Sequence, residues 1–378
     1  MLIVADENIP YVQDAFAGLG EVRTMAGRNM DREALRDTDI LLVRSVTRVG
    51  EALLDESKVR FVGTATIGTD HVDQEFLRGK EITFAAAAGS NANSVAEYVC
   101  AAMLELARRK DFCLAEKTLG VVGVGNVGSL VAGRAEALGM TVLQNDPPRQ
   151  RAEGGETFIE LDELLARSDI ISLHVPLTRT GPDATFHLLD EKRLDQILGS
   201  TLLLNTSRGA VVDGKALLSA FPAGIVLDVW ENEPNIDTAL LAKVDLATPH
   251  IAGYSFDGKV KATGMLYEQA CQWLGREPTW KWPESLPPPP TPRLEIDASG
   301  RTDEDVLRQS VRTIYDVTQD DRALRSIAEE APSERGAGFD RLRKNYPVRR
   351  EFHNTRLIVH GGSSVVCDKL CGLGFIPG

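Results

Sequence analysis

The sequence is poor in cysteine and aromatic side chains, carries no excess of positive charge, and contains no long apolar run. Five cysteines (Cys100, Cys113, Cys271, Cys367 and Cys371) in 378 residues are a sparse, odd-numbered set. They exclude a disulfide-stapled scaffold and suit a reducing, cytoplasmic location. No apolar stretch reaches the ~18 residues of a membrane span. The start, Met1-Leu-Ile-Val-Ala-Asp-Glu-Asn8, has neither basic residues nor a cleavage site. No membrane partner and no export signal are therefore expected. Lys and Arg number 42 against 55 Asp and Glu, a net charge of −13. Such a chain repels a phosphate backbone, which argues against nucleic acid as a partner and makes any local cluster of arginines informative. Cys367-x-x-x-Cys371, with His353 and His360 upstream, lacks the ligand spacing of a zinc site, and no metal is expected.

What is present is an ordinary globular composition, 43% hydrophobic and 26% charged, on a length that suits two or three domains. The most informative stretch is Lys117-Thr-Leu-Gly-Val-Val-Gly-Val-Gly-Asn-Val-Gly128. Leu119 to Val122 is an apolar run of strand length, and Gly123-x-Gly125-x-x-Gly128 follows it. Val127, Leu130, Val131, Arg134, Ala135 and Leu138 then fall at helical spacing. The first glycine permits a tight turn, the second lets backbone approach a pyrophosphate, and the third lets helix pack closely on strand. The helix N-terminus offers unpaired N–H groups to the phosphates. A second strand, Thr141 to Gln144, ends in Asn145-Asp146, about 20 residues beyond the glycines. An acid there accepts hydrogen bonds from ribose hydroxyls and repels a 2′-phosphate, so the expected cofactor is NAD rather than NADP.

Upstream, short apolar runs (Leu2 to Ala5, Ile40 to Val43, Val59 to Gly63) alternate with helical patterns (Tyr11 to Leu19, Arg32 to Arg36, Glu51 to Glu56). That alternation implies a parallel sheet with helices on its faces, and ligands meeting the loops at the carboxyl ends of its strands. Two such loops are rich in hydroxyls: Arg44-Ser-Val-Thr-Arg48 and Thr64-Ala-Thr-Ile-Gly-Thr-Asp70. A long helix begins after Ser90, with Asn93 or Ser94 as its cap. Beyond the fingerprint, Ile170 to Val175, Thr201 to Asn205, Ile225 to Asp228 and Leu246 to Ala247 read as further strands. Met265 to Leu274 is helical and can return to the first domain. Pro287-Pro-Pro-Pro290 is a stiff linker. Past Leu286 come fourteen basic and fourteen acidic residues, so the negative charge lies wholly upstream. There Thr302-x-x-Asp305 reads as a capping-box start to a helix through Leu307, Val311 and Ile314. Leu324, Ile327 and Ala328 suggest a second helix, with strands at Leu294 to Ile296 and Arg356 to Val359.

Three chemically different groups fall at strand ends of the cofactor domain. An arginine lies in Asn205-Thr-Ser-Arg-Gly209, an acid in Asp228-Val-Trp-Glu-Asn-Glu-Pro234, and a histidine in Thr248-Pro-His-Ile-Ala-Gly-Tyr254. Hydride removal from a hydroxy acid needs these types. A guanidinium fork holds the carboxylate and polarises the C2 oxygen. A histidine takes the hydroxyl proton, and a carboxylate orients that histidine and stabilises its charged form.

With the fingerprint, His174-Val-Pro-Leu-Thr178, the arginine motif, Glu233-Pro234 and Pro249-His250, the chain resembles the D-isomer-specific 2-hydroxyacid dehydrogenases from about Leu2 to Leu274. The resemblance implies that Arg208 binds and activates substrate, that Glu233 pairs with His250, and that His250 is the acid/base. It implies cofactor contacts from Gly123, Gly125, Asn126, Val127, Gly128, Asp146, Val175, Thr206, Ser207, Arg208, Asp228 and Gly253, with Asp228 on the nicotinamide amide. Leu42 to Thr47, Ala65 to Asp73 and His250 to Ser255 look like the substrate loops of a branch acting on a phosphorylated hydroxy acid. Ser45, Thr66 and Tyr254 then match substrate contacts. Arg44 is the candidate for the phosphate, being nearer the strand end than Arg48, with Ser45 and Thr47 supplying hydroxyls. Arg312 to Tyr315 and Phe339 to Pro347 look like a C-terminal dimerisation domain, which implies a homodimer. The likeness fades past about Glu351. The expected architecture is α/β. A flavodoxin-like substrate domain would take residues 1–93 and 256–282, a Rossmann-type NAD domain 94–255, and a small α+β dimerisation domain 286–378. A dehydrogenase for an acid one carbon shorter, and an NAD-sensing binding protein of the same fold, are the alternatives.

Overall fold

The computed structural model describes residues 1–155, 157–197 and 199–378. The chain divides into two compact units, one of Met1–Asn91 with Ser255–Pro288, the other of Ala92–Tyr254 with Pro289–Gly378.

The first unit is built on five parallel strands: β1 (Leu2–Asp6), β2 (Glu21–Met25), β3 (Ile40–Val43), β4 (Phe61–Thr64) and β5 (Thr83–Ala86). Their order is β2-β1-β3-β4-β5, the doubly wound flavodoxin-like order. Ile3 pairs Ile40 in register, and Ile40 pairs Phe61. β3 and β4 are buried at every position, so they read as continuous apolar runs. The helix Phe256–Trp273 returns to this unit and buries Leu266, Tyr267, Ala270 and Cys271 against Ile3, Phe16 and Phe61. It begins on a Ser255 cap whose Oγ accepts the Gly258 N–H at 3.0 Å.

The second unit holds a six-stranded parallel sheet of β6 (Thr118–Val122), β7 (Thr141–Asn145), β8 (Ile170–Leu173), β9 (Leu202–Asn205), β10 (Gly224–Leu227) and β11 (Leu246–Ala247). The order β11-β10-β9-β8-β6-β7 reverses direction at β6. The crevice outside the carboxyl ends of β6 and β8 is thus the topological switch point where such sheets take ligands. A third, three-stranded parallel sheet of β12 (Arg293–Asp297), β13 (Arg356–His360) and β14 (Ile376–Pro377) lies in the same unit. The segment after the proline run shares a core with the long helix Ala92–Lys110. Val99, Met103 and Leu106 cluster with Val306, Leu307, Val311, Leu370, Leu373 and Phe375.

Thr302 caps the helix Asp303–Ile314 by accepting the Asp305 N–H at 3.2 Å, as its box implies. The capping expectation for the long helix is corrected: it starts at Ala92, so Asn93 and Ser94 lie inside its first turn. Their side chains bond across the unit instead. Asn93 Nδ2 donates to Glu351 Oε2 at 2.6 Å, and Ser94 Oγ donates to the Ala252 carbonyl at 2.7 Å.

Candidate active site

The turn after β6 is dictated by its glycines. Gly123 has φ +86°, and a Cβ on it would stand 2.8 Å from the His174 carbonyl carbon. Gly128, in the first turn of the helix Asn126–Leu138, sits so close to the strand end that a Cβ would lie 2.0 Å from the Gly123 oxygen. A Cβ at Gly125 would meet nothing within 4 Å, so the space before the helix N-terminus stays open on that side. The first intrahelical bond there is Ser129 N–H to Gly125 O at 3.0 Å. It leaves the N–H groups of Asn126, Val127 and Gly128 at the helix mouth, where an anion is favoured. This cradle fits a dinucleotide pyrophosphate.

Asp146 follows β7 and works in two directions. Its Oδ2 accepts the Val124 N–H at 2.8 Å, and its Oδ1 accepts the Arg149 N–H at 3.1 Å, capping the helix Pro147–Glu153. Arg149, the first cation after Asp146 in sequence, is engaged elsewhere. It holds Glu153 at 2.6 and 2.9 Å, the Val124 carbonyl at 2.5 Å, and the face of Phe158 at 5.3 Å. The carboxylate side of Asp146 therefore suits a ribose diol better than a phosphate. On the opposite wall, Val175 Cγ1 stands 2.8 Å from where a Gly123 Cβ would be. Thr206 Oγ1 lies 3.3 Å from His174 Nδ1, and Ser207 Oγ donates to Asn205 Oδ1 at 2.8 Å. Burial pushes the His174 imidazole down to about 3, so it stays neutral as it bonds Ser172 at 2.9 Å.

The strand-end groups meet around one cavity of about 440 Å³ lined by Leu177, Arg179, Phe186, Arg208, Trp230, Glu233 and His250, among others. His250 Nδ1 stands 2.7 Å from Glu233 Oε2. A carboxylate only accepts, so Nδ1 carries the proton and Nε2 is left to act on a ligand. Glu233 Oε1 accepts the Trp230 N–H at 2.7 Å, which fixes the carboxylate's orientation. Burial raises the Glu233 carboxyl, but the charge and hydrogen bond of His250, the Trp230 N–H and the Arg343 charge together bring it below its usual range. Arg208 sits on a loop closed by Asn205 Nδ2 donating to the Arg208 carbonyl at 2.9 Å, while its Nη1 donates to the Ser207 carbonyl at 2.7 Å.

His250 has φ +56°, a left-handed conformation that a non-glycine holds only when its surroundings impose it. Asp228 is what imposes it. Its carbonyl accepts the His250 N–H at 2.7 Å. Its carboxylate accepts the Thr248 hydroxyl at 2.7 Å and the N–H groups of Ile251 and Ala252 at 2.7 and 3.0 Å. Burial pushes that carboxyl above its ordinary range against the pull of His250 and those three bonds. Thus the acid assigned by resemblance to the nicotinamide amide is, first, the clamp on the histidine loop. Gly253 and Tyr254 follow directly, with Tyr254 edge-on to Tyr346 at 5.8 Å.

In the first unit, Arg44 follows β3, is half-buried, and accepts the Thr47 N–H on its carbonyl at 3.2 Å, while its guanidinium has no hydrogen bond or ion pair among the described residues. Ser45 and Arg48 are exposed. Thr47 does not fit the hydroxyl role expected of it: the side chain is 3% exposed and donates to the Gly27 carbonyl at 3.0 Å, so it braces the loop. Thr66 Oγ1 donates to the Gly68 carbonyl at 2.8 Å and contacts Thr64 Oγ1 at 2.7 Å, which shapes its own turn. Among the described residues, His187, Asp213 and Glu231 form the one group with metal-ligand proximity. There the imidazole already bonds Glu231 at 2.8 Å, and Glu231 Oε2 accepts the Gly214 N–H at 3.0 Å.

Residues 82–252 match the model of the D-isomer specific 2-hydroxyacid dehydrogenase NAD binding domain, and residues 285–374 match a domain of unknown function. The chain is 51% identical over 364 residues to the erythronate-4-phosphate dehydrogenase of Salinibacter ruber, covering 93% of this chain and 92% of that one. It is 45% identical to the enzyme of the same name from Chromohalobacter salexigens, over 99% and 98% of the two chains. The chain belongs to the erythronate-4-phosphate dehydrogenase family. Among solved structures, D-lactate dehydrogenase from Aquifex aeolicus, complexed with NAD and lactic acid, is 26% identical. It covers 72% of this chain and 95% of its own with a TM-score of 0.62. NAD-bound 3-phosphoglycerate dehydrogenase of Entamoeba histolytica is 25% identical over 73% and 95%, with a TM-score of 0.62. The wider family thus accounts for the dehydrogenase fold, and the nearly full-length relatives account for the extra C-terminal segment as well.

Proposed function

We propose that this chain oxidises 4-phospho-D-erythronate at C2 to 2-oxo-3-hydroxy-4-phosphobutanoate, with NAD as the oxidant, in pyridoxal phosphate biosynthesis. The observation that carries the reading is the Glu233–His250 pair, 2.7 Å apart, in one cavity with Arg208. The pair stands at the carboxyl edge of a sheet whose switch point carries a pyrophosphate cradle. Relatives named for this reaction match nearly the whole chain.

In the reaction the C2–H bond breaks with its electron pair, and the hydroxyl proton leaves as the carbonyl forms. Bound NAD supplies the hydride acceptor. Arg208 takes the substrate carboxylate and polarises the C2 oxygen, which favours the developing carbonyl. His250 Nε2 accepts the hydroxyl proton, and Glu233 stabilises the imidazolium that results. Asp228 holds the loop so that the imidazole needs no reorganisation at that moment. Arg44, Ser45, Thr66 and Tyr254 are the groups we assign to substrate, with Arg44 on the phosphate. Residues 1–93 with 256–282 serve the substrate, 94–255 the cofactor, and 286–378 the pairing of two copies in the cytoplasm. Purified protein given 4-phosphoerythronate and NAD, with NADH formation followed by absorbance, tests the reading. Turnover of 3-phosphoglycerate in preference would replace it.

A further inference from the structure

The helix Arg335–Lys344, in the segment of unknown function, is seated against both loops that carry the acid–base pair. Near its start, a Cβ on Gly336 would lie 2.6 Å from Asn235 Oδ1 and 3.5 Å from the Pro234 ring. The helix therefore rests on the turn that follows Glu233. Near its end, the Arg343 guanidinium lies over the Tyr254 ring at 5.6 Å and over Phe339 at 5.9 Å. Tyr346 closes on Tyr254 edge-on, at 86°. Arg349 then donates to the Ala252 carbonyl at 2.7 Å and lies over Tyr315 at 4.2 Å. The stretch that follows His250, Ala252 to Tyr254, is thus held by side chains roughly a hundred residues further along the chain.

Arg343 is an unusual choice for a packing role. Its Nε is buried with no hydrogen-bond partner, a costly state for a guanidinium unless the charge is wanted. Burial works against the charged form, and Tyr254, Glu233 and Asp340 hold it charged. After the larger contributions of His250 and the Trp230 N–H, the Arg343 charge adds to the groups that bring the Glu233 carboxyl below its usual range. We propose that Arg343 is a positioning residue for hydroxy-acid oxidation, holding Tyr254 in place and lending its charge to the Glu233–His250 pair so that the C-terminal segment completes the acid–base site. The proposal rests on reading Glu233 and His250 as that site. The charged and titratable groups around the imidazole are Glu233, Asp228, Arg208 and Glu231 at the sheet edge, Arg179 on the cavity wall, Tyr254 on its own loop, and Arg343 on the helix.

The test uses the full-length protein with Arg343→Gln, Arg343→Lys and, as a surface control, Arg341→Gln. Each is assayed with NAD and 4-phosphoerythronate across pH, with Tm measured alongside. Oxidation needs a neutral imidazole, and removing a neighbouring cation favours the imidazolium. For Arg343→Gln, the rising limb of kcat/KM should move up by about half a pH unit. Its kcat should fall by about tenfold, the order expected when a catalytic group is misplaced, with the KM for NAD unchanged. Arg343→Lys keeps the charge without the fork, so it should hold the wild-type limb while losing part of kcat. That comparison stands even if the Gln variant does not fold. Arg341→Gln should match wild type. A limb common to all variants, or losses that merely track Tm, overturns the proposal. NMR titration of the His250 imidazole in wild type and Arg343→Gln makes the same comparison without turnover, and identical titrations overturn the proposal. Absence of turnover in the wild type overturns the functional reading instead.

Discussion

Replacing Glu233 with Gln removes one oxygen and should disable the site out of proportion to that change. In the wild type the Trp230 N–H donates to Oε1 at 2.7 Å and His250 Nδ1 meets Oε2 at 2.7 Å. A glutamine has one acceptor and one donor group to distribute over those two positions. The Trp230 N–H can only donate, so it captures the amide oxygen and turns the NH2 toward His250. Nδ1 must then accept, the ring proton moves to Nε2, and the nitrogen facing substrate ceases to be a base. A wrong tautomer of this kind in a carboxylate–histidine pair costs up to about 10⁴-fold in rate. A fall in kcat of about 10²–10⁴-fold, roughly 3–5 kcal/mol of barrier, is expected for Glu233→Gln. Glu233→Ala leaves Trp230 N–H without a partner but lets the imidazole choose its tautomer, so it should lose less kcat than the Gln variant. Steady-state NADH formation against pH reads both. The rising limb should move to lower pH in each, because the imidazolium loses its stabilising charge. A Glu233→Gln enzyme within about threefold of wild type, or one more active than Glu233→Ala, would refute the tautomer argument.

His250→Ala should lose about 10²–10⁴-fold in turnover with NAD affinity, measured by fluorescence titration, unchanged; a parallel loss of affinity would make the histidine structural. Asp146→Ala should narrow the preference for NAD over NADP in kcat/KM. It should also lower stability by about 1 kcal/mol, because the residue caps the helix Pro147–Glu153, and equal use of both cofactors by the wild type would overturn its role. Arg44→Ala should raise KM for 4-phosphoerythronate by about 10- to 150-fold, the worth of a charge-assisted contact, while leaving unphosphorylated erythronate little changed; equal weakening of both would make Arg44 a loop residue. Ending the chain at Leu286 should give insoluble protein, because it strips Leu307, Val311, Leu370 and Phe375 from the core of the Ala92–Lys110 helix; a soluble, cooperatively folding product would contradict that shared core.

The sheets were legible wherever a strand is buried on both faces. β3, β8 and β9 are buried at every position and apolar at all but one residue of β8 and one of β9, so each stands out as a run. β2 (Glu-Val-Arg-Thr-Met) is an exposed edge with an interrupted pattern, and β5 mixes exposed and buried positions, so neither announced itself. The glycine turn was legible because each position has a steric reason visible in one dimension. The Glu233–His250 contact was legible as residue types at successive strand ends, but not its support. That Asp228 clamps the loop depends on φ +56° at His250, which no spacing predicts. Thr47 misled because a hydroxyl between two arginines in sequence can still turn inward. Arg343 and Arg349 reach the catalytic loop across roughly a hundred residues. Local propensity makes them look like the charged face of a C-terminal helix, and only the three-dimensional packing reassigns them.

The proposed function is that this acid–base pair serves a phosphorylated four-carbon hydroxy acid with NAD. Its most direct measurement compares kcat/KM for 4-phosphoerythronate, unphosphorylated erythronate and 3-phosphoglycerate on one preparation, in the wild type and in His250→Ala. 4-Phosphoerythronate should exceed unphosphorylated erythronate by at least about tenfold, the worth of one charge-assisted phosphate contact, and should exceed 3-phosphoglycerate as well, with its turnover lost in the variant. A wild type that oxidises 3-phosphoglycerate as well or better, or a His250→Ala enzyme that retains turnover, would contradict it.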